Sequence, residues 1–269
     1  MKKLVFNLKT HALVAIFATT LLMGCQKDEE KAVKPNQPPQ QSMAADFSAF
    51  STTKSGNGNQ TTLNYTFSAI TVGVWNAILA VTLAVPVAAF KESFNHEAVY
   101  QKDGAWQWQY SVPVGLVNYT AKLSGQIVST NVNWTMKLSQ SGGFQDFVWF
   151  TGVSKLDASS GSWVLYKSPV ENTPFVNIDW SKDANGIVNA KYTNVLPNSI
   201  DNGSYISYGA INEGSYNTFY DVFVKKENNL FKILYNSTTK DGRCQNEKIY
   251  KDLNWHCWDG TKSDVTCGN

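Results

Sequence analysis

From Trp106 to Tyr235 apolar and polar residues alternate with a period of two, and that rhythm most limits what this 269-residue chain can fold into. Successive side chains of a β-strand point to opposite faces, so an alternating run builds a sheet with one dry and one wet side. Trp106, Trp108 and Tyr110 alternate with Gln107 and Gln109. The pattern returns at residues 119–123, 134–138, 163–166 and 176–180, with a more continuous apolar run at 147–150. Tyr205 to Gly209, Phe219 to Val224 and Leu230 to Tyr235 complete the series. Between the runs lie Asp103-Gly104, Ser141-Gly142-Gly143, Ser160-Gly161, Asn185-Gly186, Asn202-Gly203 and Asn228-Asn229, residue pairs that favour tight turns. The spacing predicts about ten or eleven strands in meander order.

Ahead of the strands lies Ala69 to Phe90, twenty-two residues without a charge, including Trp75, Ile78, Leu79, Val81, Leu83 and Val85. A helix of that length reaches about 33 Å, enough to cross a hydrocarbon core of about 30 Å. A helix apolar on all sides is equally what the centre of a large domain requires. The core reading is preferred, with the helix kinked or restarted at Pro86, where proline removes a donor; a membrane span is the competing reading. An open sheet of this size must curl or close. The expected fold is therefore mainly β (α+β), a large curved antiparallel meander sheet forming a half-barrel wrapped around one long apolar helix.

The first residues have another character. Lys2, Lys3 and Lys9 lead into the apolar stretch Ala12 to Met23, and the small Gly24 precedes Cys25. That is the layout of a secretory signal. Leu22-Met23-Gly24-Cys25 resembles the lipobox of bacterial lipoproteins, which implies fatty chains on the Cys25 sulfur and on the new amino terminus. Gln26, Lys27, Asp28, Glu29 and Glu30 resemble the Gln-Lys-acidic export signal of Bacteroidota lipoproteins, which implies display on the outer leaflet of the outer membrane. Two or more acyl chains anchor a protein stably, at about 0.8 kcal/mol per buried CH₂. The membrane is thus the first expected partner. The stretch rich in Lys, Pro, Gln and Glu that follows lacks the apolar surface to order itself. The expected organisation is a signal peptide over 1–24, a lipidated disordered tether over 25–45 and a single curved-sheet domain over 46–269.

One apolar helix against a curled antiparallel sheet, behind a secretion signal, is similar in layout to the unclosed barrel of bacterial lipoprotein carriers. The lipobox, the run Ser42-Met43-Ala44-Ala45-Asp46-Phe47 and the closing His256-Cys257-Trp258-Asp259 look like surface lipoproteins of Bacteroidota. That resemblance carries no assigned activity.

Three of the 23 basic residues leave with the leader, so the processed chain has 20 against 21 acidic residues. Arg243 is the only arginine. Base and phosphate recognition leans on arginine, so nucleic acid is not an expected partner. Cys257 and Cys267 flank the turn pair Asp259-Gly260, and a disulfide between them is the first choice, with Cys244 left over. Pairing of Cys244 with either one is the alternative. A zinc site from the three cysteines and His256 is the sharper competitor, against which stands the absence of any CxxC.

Catalytic patterns are thin. The processed chain keeps only His96 and His256, and it has no GxSxG, Walker A or GxGxxG stretch, so no catalytic residue, metal or cofactor is expected. Residues 181–186 echo a calcium loop, but the twelfth position is Tyr192 rather than an acid, and a hairpin turn explains them better. Asp146, Asp179 and Asp221 fall among the strands and would be the carboxylates of a glycoside hydrolase if two of them met. Two binding readings compete with that. A lipid or other hydrophobic ligand would lie in the concave face against Trp75, Leu79 and Leu83. A glycan would stack on exposed tryptophans, with Trp106, Trp255 and Trp258 as candidates among the nine.

Overall fold

The computed structural model describes residues 32–44, 50 and 61–268. Cys25 and the export-signal residues Gln26 to Glu30 lie outside them. The folded unit runs over Lys34–Asn269. It opens with the helices α1 (Leu63–Thr82) and α2 (Ala84–Glu92), and every strand follows. These are β1 (Val99–Tyr100), β2 (Trp106–Val114), β3 (Val117–Val128), β4 (Asn131–Gln140), β5 (Phe147–Lys155), β6 (Ser160–Tyr166) and β7 (Pro174–Lys182). After them come β8 (Val188–Asn194), β9 (Tyr205–Glu213), β10 (Tyr216–Val224), β11 (Asn229–Tyr235) and β12 (Gly242–Gln245). A short helix α3 (Glu247–Tyr250) precedes β13 (His256–Trp258) and β14 (Asp264–Val265).

All fourteen strands form one antiparallel sheet, each paired with its neighbours in chain order, and β1 and β14 are left as its two open edges. The meander is as expected; the count of ten or eleven is not. The additional strands are chiefly short ones, since β1, β12, β13 and β14 have two to four residues each, too few to display a period. In β8, Ala190 and Lys191 dilute the apolar signal.

Register carries the alternation across the sheet. On the covered face one row runs Trp106, Gly125, Trp134, Gly152, Trp163 from β2 to β6, directly opposite one another strand by strand. The row goes on through Ile178, Tyr192, Ile206, Val222 and Phe231. A Cβ on Gly125 would come within 2.6 Å of the Trp134 indole, and one on Gly161 within 2.8 Å of the Trp180 indole. Gly152 lies under Trp163 and Gly242 under Trp258 in the same way. A strand glycine here marks the close approach of an aromatic ring. That accounts for Ser160-Gly161, read as a turn, lying instead inside β6. Each large buried apolar side chain stabilises the fold by roughly 1.5–3 kcal/mol, so the row of rings is a main source of stability.

The apolar segment forms two helices. Leu83 closes α1, and Pro86 sits in the first turn of α2, where its missing N–H is not needed. α1 packs on β10, β12, β13 and β14, and α2 on β2. Tyr65, Ala69, Val72 and Leu79 turn α1 into the core. α1 is long and apolar enough to cross a membrane, but this face is spent on the sheet. The opposite face departs from the expectation of all-round burial. Leu63, Ile70, Val74, Ile78 and Val81 are exposed, Val81 at 80%. A single sheet covers a helix on one side only.

The tether is shorter than composition suggested. Part of the stretch 34–44, assigned to it, packs on the fold: Pro35, Pro38, Ser42 and Met43 are buried, and the 3₁₀ turn Gln40–Ser42 packs on β7 and β8. The Trp163 indole donates to Ser42 Oγ at 3.2 Å, and Gln37 Nε2 to Ser93 Oγ at 2.8 Å. The composition argument fails because these residues borrow apolar surface from the sheet instead of supplying their own.

Candidate functional site

Of the concavities among the described residues, two lie on opposite faces of the sheet and bear on the ligand readings. The first lies under the helices, between Met43, Leu79, Leu83, Val87 and Tyr192, and holds about 140 Å³. Leu79 and Leu83 line this cavity. Trp75 is half-buried on α1 and does not line it. Ligand pockets typically hold about 300–1,000 Å³, so this space is too small for an acyl chain. Met43, Tyr192 and the two helices occupy the covered face around it.

The second is a shallow groove of about 570 Å³ on the wet face, crossing β5 to β10. Outward-pointing side chains line it: Ser160 and Ser162 from β6, Asp179 and Ser181 from β7, Asn189 and Lys191 from β8, Ser207 from β9 and Phe219 from β10. Serines leave the groove open where larger residues would fill it. Asn177 Nδ2 donates to Asp179 at 2.8 Å, and Lys191 Nζ stands 4.0 Å above the Tyr205 ring. Asn189 Oδ1 accepts from the Ala210 amide at 2.8 Å, beside the irregularity between β9 and β10. The groove offers hydroxyls, an amide, a carboxylate and an ammonium on a rigid strand scaffold, with an aromatic ring at one end. It has hydrogen-bonding capacity along its length.

The sequence-level aromatic candidates fall elsewhere. Trp258 is 1% exposed, lies over Gly242 and donates its indole N–H to the Lys240 carbonyl at 3.1 Å; it belongs to the core. Trp106 is half-buried near the β1 edge against Tyr100. Trp255 is half-buried, and its ring carries the Arg243 guanidinium at 4.4 Å. Arg243 also bonds Glu213 and lies 4.9 Å from the Tyr216 ring, so the single arginine is a structural clasp.

The carboxylates do not meet. Asp146 precedes β5 and pairs with Lys122 at 3.0 Å, which holds its carboxyl below the ordinary value. Asp179 and Asp221 occupy one outward row, Asp179–Lys191–Ser207–Asp221, three strand spacings apart. At about 4.8 Å per spacing that is about 14 Å, against the roughly 5–9.5 Å that glycoside hydrolysis requires.

The two histidines among the described residues are each held by an acid four residues earlier and a tyrosine ring. His96 Nε2 lies 3.0 Å from Glu92 and stacks on Tyr110, whose hydroxyl donates to the Ala89 carbonyl. His256 Nε2 lies 3.0 Å from Asp252 and stacks on Tyr250 at 3.7 Å. They stand beside β2 and in β13, near opposite edges of the sheet. Cys257 and Cys267 are bonded to each other, Cα atoms 5.2 Å apart, as expected, and this removes two of the four proposed zinc ligands. Cys244 is buried beside the Tyr250 hydroxyl at 3.2 Å, and burial pushes its thiol pKa up, away from a nucleophile. Among the described residues no group of three or more His, Cys, Asp and Glu is placed to hold a metal ion. Asp183, within the echoed calcium loop, instead caps the β7–β8 turn through the Asn185 and Ile187 amides.

No family model, no curated protein and no solved structure matches this chain. Function therefore has to be argued from the site.

Proposed function

We propose that this is a lipid-anchored lipoprotein displayed on the outer membrane, a non-catalytic binding module that takes an extended polar ligand, such as an oligosaccharide, in the groove across β5 to β10. The observation that carries the ligand reading is the contrast in volume: about 570 Å³ in an open groove edged by serines, Asn189, Asp179 and Lys191, against about 140 Å³ under the helices. A lipid ligand in the concave face would need the larger volume on the other side. The non-catalytic reading is supported by the 14 Å separation of the outward aspartates and the engagement of both histidines in local pairs. Anchoring and surface display rest on Leu22 to Glu30.

In this reading the sheet is the half-barrel that its width calls for, because twisted open sheets of more than about ten strands curl. Two helices joined through the single residue Leu83 touch strands near its opposite edges, which suits a curled sheet better than a flat one.

Two measurements test it. Mass spectrometry of the membrane-extracted protein should find acyl chains on Cys25; a bare sulfur and an intact leader would refute anchoring. A glycan array probed with the chain should show binding that Asp179→Ala and Lys191→Ala each weaken at least tenfold. A silent array would leave a display module without a ligand.

A further inference from the structure

The exposed face of α1 is the least explained surface of the molecule. Leu63, Ile70, Val74, Ile78 and Val81 recur at helical spacing on the side opposite Tyr65, Val72 and Leu79, and all five are well exposed. No charged residue occurs from Ser55 to Phe90. Charged residues normally fill the solvent side of a helix on a sheet, so a charge-free stripe marks a surface meant to meet something apolar.

We propose that this face docks on the lipid bilayer itself, so that α1 lies in the membrane interface as a second attachment beside the acyl chains. The proposal rests on the anchoring reading above for its geometry, though not for its test. The folded unit begins at Lys34, which leaves only eight residues after Cys25. Fully stretched at 3.3–3.6 Å per residue they reach about 30 Å, so a lipid on Cys25 keeps the domain at the bilayer rather than clear of it. The chain enters the fold on the helix side. Lys34 pairs with Glu97 at 3.4 Å and Gln37 bonds Ser93 just beyond α2, and Met43 then passes under Leu79 and Leu83. In this proposal the helix-bearing face turns toward lipid and the groove on the wet face points outward. A helix lying in the interface sinks its apolar face by about 5–10 Å, which an exposed stripe of aliphatic side chains can do without unfolding. The opposite face stays on β10 and β12 to β14, so α1 lies along the bilayer and does not cross it.

The test uses the chain from residue 25 onward with Cys25→Ser, which removes the acyl chains from the question. It is floated with vesicles of phosphatidylethanolamine and phosphatidylglycerol. The chain should float with the vesicles, and Val74→Glu with Ile78→Glu should cut the floated fraction at least tenfold while leaving the near-ultraviolet circular dichroism unchanged. If the double variant loses its fold, bromine-labelled acyl chains provide the second readout: they should quench the chain's fluorescence, and Trp75→Phe should remove most of that quenching. Absence of flotation and quenching overturns the proposal. So does a concentration-dependent dimer, broken by the same substitutions, that stays off the vesicles, because the stripe would then belong to a second copy. Flotation without acylation of Cys25 in cells would keep this proposal and sink the anchoring reading instead.

Discussion

Asp264 and Asn64 stand 200 residues apart in the chain, and the carboxylate of one accepts a hydrogen bond from the backbone amide of the other at 3.0 Å. The second carboxylate oxygen takes the Leu63 amide at 3.0 Å and the Thr61 hydroxyl at 2.6 Å. The residue at the N-cap position of α1, Thr62, makes no side-chain cap of its own. The helix is therefore capped from the last strand of the sheet, and the negative charge also faces the positive end of the helix dipole. Asp264→Ala should cost about 1–2 kcal/mol in urea unfolding. Asp264→Asn, which keeps one acceptor, should cost less.

The tryptophan–glycine pairs give a sharper expectation. Gly152 sits between Trp134 and Trp163 on neighbouring strands, and any side chain there collides with the Trp163 ring and with the Ser162 backbone. Strand backbone cannot retreat without losing its ladder bonds. Gly152→Ala should therefore destabilise the domain by about 1–3 kcal/mol or more, the range for overpacking. Gly73 in α1 is the control, since nothing lies within 4 Å of a Cβ added there. Gly73→Ala should stabilise by roughly 0.5–1 kcal/mol through helix propensity. Both substitutions replace glycine by alanine, so midpoints moving in opposite directions would isolate the packing term.

These same pairs show where the sequence was legible and where it was not. Alternation exposed β2, β4, β6 and β7 because each carries an inward tryptophan, and it exposed the closing hairpin because Cys257, Cys267 and Asp259-Gly260 bracket it. The short edge strands had too few residues to alternate. The role of Trp258 was not legible either. Its partner Gly242 is sixteen positions away, and only pairing of β12 with β13 brings the ring over the glycine backbone. The groove escaped for a related reason. It is assembled from one or two outward residues on each of six strands, and a serine or an asparagine on a wet strand face looks the same with or without a ligand. Packing of the turn Gln40–Ser42 depended on a surface formed by β7 and β8, more than a hundred residues later.

The C-terminal cysteines differ in what they do. The Cys257–Cys267 bridge closes a loop of sequence separation 10 and ties down β14, and with it Asp264. Replacing both by serine should lower stability by about 2–3 kcal/mol on the chain-entropy estimate, and more if the helix cap frays with the strand. Cys244 should behave as a buried thiol, unreactive to alkylating agents at pH 8 in the native state and fully modified in urea. Rapid alkylation of the native chain at this position would contradict its place under Asn64 and Tyr250.

Asp221 should leave a signature in the pH dependence of stability. It projects from β10 between Ser207 and Lys232 on the flanking strands. Partial burial is the main influence and raises its carboxyl pKa; Lys232 pulls the other way without cancelling it. A raised folded-state pKa means that the native chain holds this proton more tightly than the unfolded chain does. Stability associated with the group is then fully present below the unfolded carboxyl value and falls as pH rises through the folded one. The direction is opposite to that of a salt-bridged aspartate such as Asp146, whose pKa is depressed. Asp221→Asn keeps the shape and removes the charge, so it should be more stable than the parent near neutral pH and lose that advantage in acid. Urea midpoints for the two chains, taken from pH 3 to pH 7, should converge at the acid end and separate as the parent's carboxyl ionises. A parent more stable than Asp221→Asn near neutral pH, with the advantage lost in acid, would show that Lys232, rather than burial, governs the site.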